Sequence, residues 1–107
     1  MIVTAWNNGG RGYGVRVRMQ DRRQFFRNEW GSVTLELEGS AVQVQVNVAK
    51  RSFWSPGCGE LIHREIGAWL KENGLAPWPK GNPPKLLLEP LSDRRFLLHK
   101  PSTQRIE

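Results

Sequence analysis

Several stretches of the chain alternate apolar and polar residues with a period of two. Ser32 to Glu38 places Val33, Leu35 and Leu37 on one side and Thr34, Glu36 and Glu38 on the other. Ala41 to Ala49 repeats the pattern, with Val42, Val44, Val46 and Val48 set against Gln43, Gln45 and Asn47. Successive side chains of a strand point to opposite faces, so each stretch predicts a strand with one buried face. Gly39-Ser40 between them predicts the tight turn of a β-hairpin. Tyr13, Val15, Val17 and Met19 alternate with Gly14, Arg16 and Arg18, a strand with one apolar and one arginine face. Ile2 to Trp6 predicts a first strand. Leu86 to Glu89 and Arg95 to His99 predict two closing strands across a Ser92-Asp93 turn.

Two segments carry helical signals. Asp21 is a capping residue ahead of Arg22 to Trp30, which predicts one or two turns with Phe25, Phe26 and Trp30 facing inward. Glu60 to Asn73 spaces Leu61, Ile62, Ile66, Trp69 and Leu70 along one stripe, and Asn73-Gly74 is a C-terminal stop. Lys50 to Gly59 reads as an irregular loop. Leu75 to Pro84 is too rich in proline for regular structure, and is ordered to keep Leu75 and Trp78 from water. The element order is β-β-α-β-β-α-β-β. Short connections join most neighbouring strands. The expected fold is α+β and mostly β: a largely antiparallel sheet curled on itself, or pseudobarrel, with two short helices at its ends. A single domain spans residues 1–99, and residues 100–107 form a flexible tail.

Composition narrows the function. A chain of 107 residues suffices for one core. Five tryptophans argue against disorder. The net charge of +6 favours a polyanionic partner: nucleic acid, an anionic surface or an acidic protein. Its placement says more than its size. Arg11, Arg16, Arg18, Arg22, Arg23 and Arg27 crowd the segment from Asn7 to Arg27 against one acid, Asp21. All six are arginines, whose planar fork suits phosphates and guanine edges better than an ammonium. The one cysteine, Cys58, excludes an internal disulfide and fits a reducing compartment. With no apolar run near the ~18 residues of a membrane span and no signal-like start, the expectation is a cytoplasmic protein that does not enter membranes.

No catalytic or metal pattern stands out. His63 and His99 could in principle act as a pair in a ribonuclease, but nothing in the sequence brings them together. One cysteine and two distant histidines lack metal-ligand spacing, so neither metal nor cofactor is expected. Gly9-Gly10-Arg11-Gly12-Tyr13-Gly14 lacks the lysine-hydroxyl end of a P-loop and leads into a strand, where a dinucleotide loop would open a helix. It is either a plain loop or a flexible basic arm. Arg16 and Arg18 either pair with Glu36 and Glu38 on a neighbouring strand or stay free for phosphates. The outward amides Gln43, Gln45 and Asn47 can contact adenine or serve as ordinary strand surface. Phe53 and Trp54, beside Lys50-Arg51, either stack on a base or pack in the core, and Ser52 and Ser55 could contact phosphates from the same loop.

Three stretches, in this element order, resemble the DNA-binding pseudobarrel known as the B-three domain. That family includes plant transcription-factor domains and the DNA-sensing domains of some restriction endonucleases. The stretches are Gly12 to Phe26, Ser32 to Val48 and Ile66 to Leu75. The resemblance implies a protein that grips the major groove of duplex DNA with two arms, here Asn7 to Gly12 and Lys50 to Gly57. By position it assigns contacts to Asn8, Arg11, Lys50, Arg51, Ser52 and Trp54. Arg16, Arg18, Arg22 and Arg23 would line the concave surface between the arms. The expected function is therefore non-enzymatic binding of double-stranded DNA. The alternatives are an RNA-binding small barrel, a toxin-type endoribonuclease that needs His63 or His99, and a protein-interaction subunit for an acidic partner.

Overall fold

A computed structural model describes residues 1–10 and 12–101. The chain forms β1 (Ile2–Asn7), β2 (Tyr13–Val17), α1 (Met19–Phe25), β3 (Ser32–Leu37), β4 (Gln43–Asn47), α2 (Arg51–Trp54), β5 (Glu60–Ile62), α3 (Arg64–Glu72), β6 (Lys85–Ser92) and β7 (Arg95–His99). All seven strands belong to one sheet of order β4-β3-β7-β6-β1-β2-β5. The sheet curls until its edge strands β4 and β5 approach each other, so it is a nearly closed barrel. Pairing is antiparallel except between β3 and β7, which run parallel. The expected mostly β pseudobarrel is the observed architecture, with one more helix and one more strand than the pattern predicted.

Period-two alternation explains the interior. Val3, Val15, Val17, Val33, Leu35, Leu37, Val44, Val46, Leu86, Leu88, Phe96 and Leu98 all point inward and are buried. Phe26 from the end of α1 stacks on Phe96 with ring centroids 4.7 Å apart, and meets Phe53 of α2 at 5.2 Å. Ile66, Trp69 and Leu70 place the apolar side of α3 over the barrel, and the Trp69 indole N–H donates to Glu38 O at 2.9 Å. Leu75 and Trp78 pack against this core, as expected of the proline-rich segment. The Ala5 N–H donates to Pro84 O at 2.9 Å, tying the end of that segment to β1.

Five sequence expectations shift. The first helix begins at Met19, because the amides of Asp21 and Arg22 both bond Arg18 O; Asp21 is inside its first turn and does not cap it. Of its aromatic residues only Phe26 is fully buried, while Phe25 and Trp30 lie half-buried against the core. The hairpin loop is longer than Gly39-Ser40, since Glu36 already faces Gln43; Val42 therefore belongs to the loop and is 45% exposed. The segment from Glu60 splits into a strand and a helix. Residues 60–62 pair with β2, His63 caps the helix by accepting the Glu65 amide on Nδ1 at 3.1 Å, and Ile62 faces outward. The loop from Lys50 contains the single turn α2. Lys100 donates its amide to Glu38 Oε1 at 2.6 Å, while the rest of the expected tail beyond Pro101 lies outside the described residues.

β2 and β5 come unusually close at Gly14. A Cβ there would lie 2.3 Å from the backbone oxygen of Leu61, so alanine cannot enter without parting the strands. Gly31 has open space around it. Gly14→Ala should lower unfolding stability in urea by about 2 kcal/mol, as overpacking of a rigid site does. Gly31→Ala should change it by less than about 1 kcal/mol.

Candidate functional site

Sheet register fixes where the two predicted arms stand. The first connection enters β2 at Tyr13, next to the Gly14–Ile62 pair. The second leads into β5 at Glu60, which faces Arg16. The two connections therefore flank the β2–β5 pair at its opposite ends.

In the first connection Asn8 builds the loop. Its Oδ1 accepts the amides of Gly10 at 2.9 Å and Gly12 at 3.2 Å, and its own amide donates to Gly12 O at 3.1 Å. This is the local side-chain-to-backbone bonding by which asparagine shapes turns. The Asn8 side-chain acceptor is thus occupied within the loop. Arg11 lies outside the described residues.

The second connection is no free arm. Phe53 is fully buried, which removes it as a stacking platform. Trp54 is half-buried, packs edge-on against Phe53 at 5.2 Å, and donates its indole N–H to Val48 O at 3.2 Å. Lys50 lies at the mouth of α2, with Arg51 and Ser52 exposed on its first turn. Ser55 O–H donates back to Arg51 O at 3.2 Å. The turn therefore offers Arg51 and Ser52 outward while its aromatic residues anchor it.

Four arginines were expected on the surface between the arms, and they divide three ways. Arg16 pairs with Glu60, Nη2 to Oε2 at 2.8 Å, and Arg18 pairs with Asp21 at 3.1 Å. Their partners are not Glu36 and Glu38, because β2 lies between β1 and β5 whereas β3 lies between β4 and β7. Glu36 instead takes Arg95 at 2.7 Å. In both pairs the acid is buried while the arginine stays half exposed, so each arginine keeps an open side toward solvent.

Arg22 does not reach the surface. It is 2% exposed. Its Nε donates to Val17 O at 3.0 Å, and Nη1 donates to Phe53 O and to Ser55 O, the latter at 3.1 Å. Burial pushes its pKa down, while Cys58 and Glu60 pull the other way. A guanidinium remains charged in proteins, and here carbonyl dipoles replace its water. Arg22 thus joins the end of β2 to α2 and is a structural residue. Gly59 completes the arrangement with φ +97°, since a Cβ there would lie 2.5 Å from Arg22 Nε.

Arg23, the next residue, is exposed. Among the described residues, Arg23, Arg27, Lys50 and Arg51 make no salt bridge. Glu36 sits on β3, Glu38 just after it and Glu89 on β6, where His99 Nε2 lies 2.8 Å from Glu89 Oε1. His63 caps α3, so the two histidines have separate structural partners. The amides are tied as well: Gln45 donates to Thr34 Oγ1 at 2.7 Å, and Asn47 Oδ1 accepts the Ala49 amide.

The fold also assembles clefts that sequence reasoning missed. One of about 320 Å³ runs beside Arg16 and is lined by Thr4, Trp6, Asn7 and Trp78. Trp6 was detectable as a tryptophan in the outward phase of β1. Trp78 was not, since the proline-rich segment meets β1 only through tertiary packing. A second cleft of about 370 Å³ places Arg23 and Asn28 beside Trp54 and Met19.

Among the described residues no helix is long and apolar enough to cross a membrane, and no cluster of three metal-ligating side chains occurs. No family model, curated protein or solved structure matches the chain.

Arg22→Ala should cost about 3 kcal/mol or more in chemical denaturation, because it strands the buried carbonyls of Val17 and Phe53 at roughly 1–3 kcal/mol each, while Ser55 O keeps the Cys58 amide. Arg23→Ala should stay within about 0.5 kcal/mol of the parent. Equal effects of the two substitutions would contradict the division into structural and surface arginines.

Proposed function

We propose that the protein is a non-enzymatic module that binds double-stranded DNA, a pseudobarrel of the B-three type whose two connections embrace the duplex. The observation carrying this reading is the position of the two connections at opposite ends of the β2–β5 pair, with Arg23, Arg27, Lys50 and Arg51 at α1 and α2 outside any salt bridge among the described residues. Spaced cations hold phosphates and set register, whereas base-edge contacts carry sequence preference. The buried α2 anchor makes the second connection a preformed ridge, so that little ordering entropy is lost on binding.

The contact set changes with the geometry. Lys50, Arg51 and Ser52 project from the second ridge, and Arg23 projects from α1. Arg16 and Arg18 join through the exposed sides of their guanidinium groups while Glu60 and Asp21 hold the other side. Arg11 contributes from the first connection by its place in the sequence. Asn8 shapes that connection, Trp54 braces the other, and Arg22 holds the frame. A cytoplasmic setting fits the unpaired Cys58.

Salt-titrated binding to fluorescent duplexes tests the proposal. Arg51→Ala and Arg23→Ala should each weaken duplex binding about fivefold near 0.1 M salt, and each should reduce the logarithmic salt slope by about 1. Unchanged affinity and slope in the double variant would refute it. Cleavage of an RNA probe that depends on His63 or His99 would instead favour the ribonuclease reading.

A further inference from the structure

The end of α1 and the β6–β7 turn enclose a cleft of about 390 Å³, of which the two-ridge reading uses Arg23 alone as a contact. Phe25, Phe26 and Trp30 supply aromatic surface, with Phe25 and Trp30 only half-buried. Arg23 and Arg27 stand at one side without a salt-bridge partner among the described residues, and Asp93 and Ser92 stand at the other. The turn is irregular in two ways. A register shift falls between Pro90 and Ser92, and Arg94 adopts φ +60°, which is uncommon for a residue with a side chain. Bulges of this kind re-aim side chains and recur beside functional sites, and here Leu91, Ser92 and Asp93 all line the cleft.

We infer that this cleft takes one unpaired nucleotide, with its base against Phe25 and Trp30 and its phosphate on Arg23 and Arg27. The mixture of charges selects this ligand. An acidic peptide would satisfy the arginines and be repelled by Asp93. A nucleotide offers phosphate oxygens at one end and ring or exocyclic N–H donors at the other. An ionised carboxylate only accepts, and it can accept two donors side by side. Guanine presents such a pair on its Watson–Crick edge, so a guanine nucleotide is the preferred occupant. Aromatic stacking supplies the part of the affinity that does not depend on base identity. Arg23 also lines the neighbouring cleft against Trp54, so a single strand leaving the second ridge would pass over Arg23 into this site.

The inference goes beyond duplex binding and is tested without any duplex, so either can fail alone. The full chain, labelled with ¹⁵N, is titrated with guanosine 5′-monophosphate, and inorganic phosphate and a short acidic tryptophan-containing peptide serve as controls. Saturable shifts are expected at the Trp30 indole N–H and at the amides of Arg23, Arg27, Ser92 and Asp93. The double variant R23A/R27A, altered only at exposed side chains, should lose about tenfold in affinity. Asp93→Asn should weaken the guanine nucleotide more than uridine 5′-monophosphate. Absence of these shifts, shifts centred elsewhere, or the same shifts from phosphate or the peptide alone would overturn it.

Discussion

The Arg22 guanidinium is the constraint on which this architecture turns. It is a full positive charge placed in an apolar barrel end, where an unpaired ion would be prohibitive. Three carbonyl oxygens solvate it, from Val17 at the end of β2 and from Phe53 and Ser55 at α2. These groups come from segments more than thirty residues apart in sequence. Satisfying one buried cation therefore fixes the exit of β2, the seat of α2 and the approach to β5 together. Gly59 belongs to the same solution, because its left-handed backbone and missing Cβ leave room for the guanidinium.

This arrangement converts an irregular loop into a ridge. α2 is a single turn, too short to hold its own shape in water. Phe53 in the core, Trp54 on Val48 O and Arg22 beneath together hold it. Arg51 and Ser52 are left facing outward on a supported element. At the other connection Asn8 plays a similar part on a smaller scale. In both places a residue with the chemistry to touch a ligand is used to shape the element that presents its neighbours. The accessible charge passes to Arg23, Arg27, Lys50 and Arg51.

Much of the architecture was legible along the chain. The hairpin of β3 and β4, the apolar phase of β2, the apolar side of α3 and the mostly β pseudobarrel follow from periodicities that depend only on local geometry. The misread places share a cause. Glu60 to Ile62 looks helical because Leu61, Ile62 and Ile66 fit the stripe, yet pairing with β2 through Gly14 outweighs that local preference. Val42 fits the strand alternation but lies beyond the last paired residue. Pairing of Arg16 and Arg18 with Glu36 and Glu38, one of the two alternatives the pattern allowed, fails because β3 does not neighbour β2, and strand order is a global property that alternation does not encode.

The sequence by itself determined the alternating faces, the basic character and the crowding of arginine near the start of the chain, because these depend on residues a few positions apart. Only the tertiary structure decided which arginine is buried, which are paired and which are free. Arg22 and Arg23 are adjacent and chemically identical, and one is the hub of the core edge while the other faces solvent. The reason is geometric. A helix turns its side chains by about 100° per residue, and the side of α1 that carries Arg22 happens to meet the carbonyls of α2, a meeting that exists only once the barrel has curled.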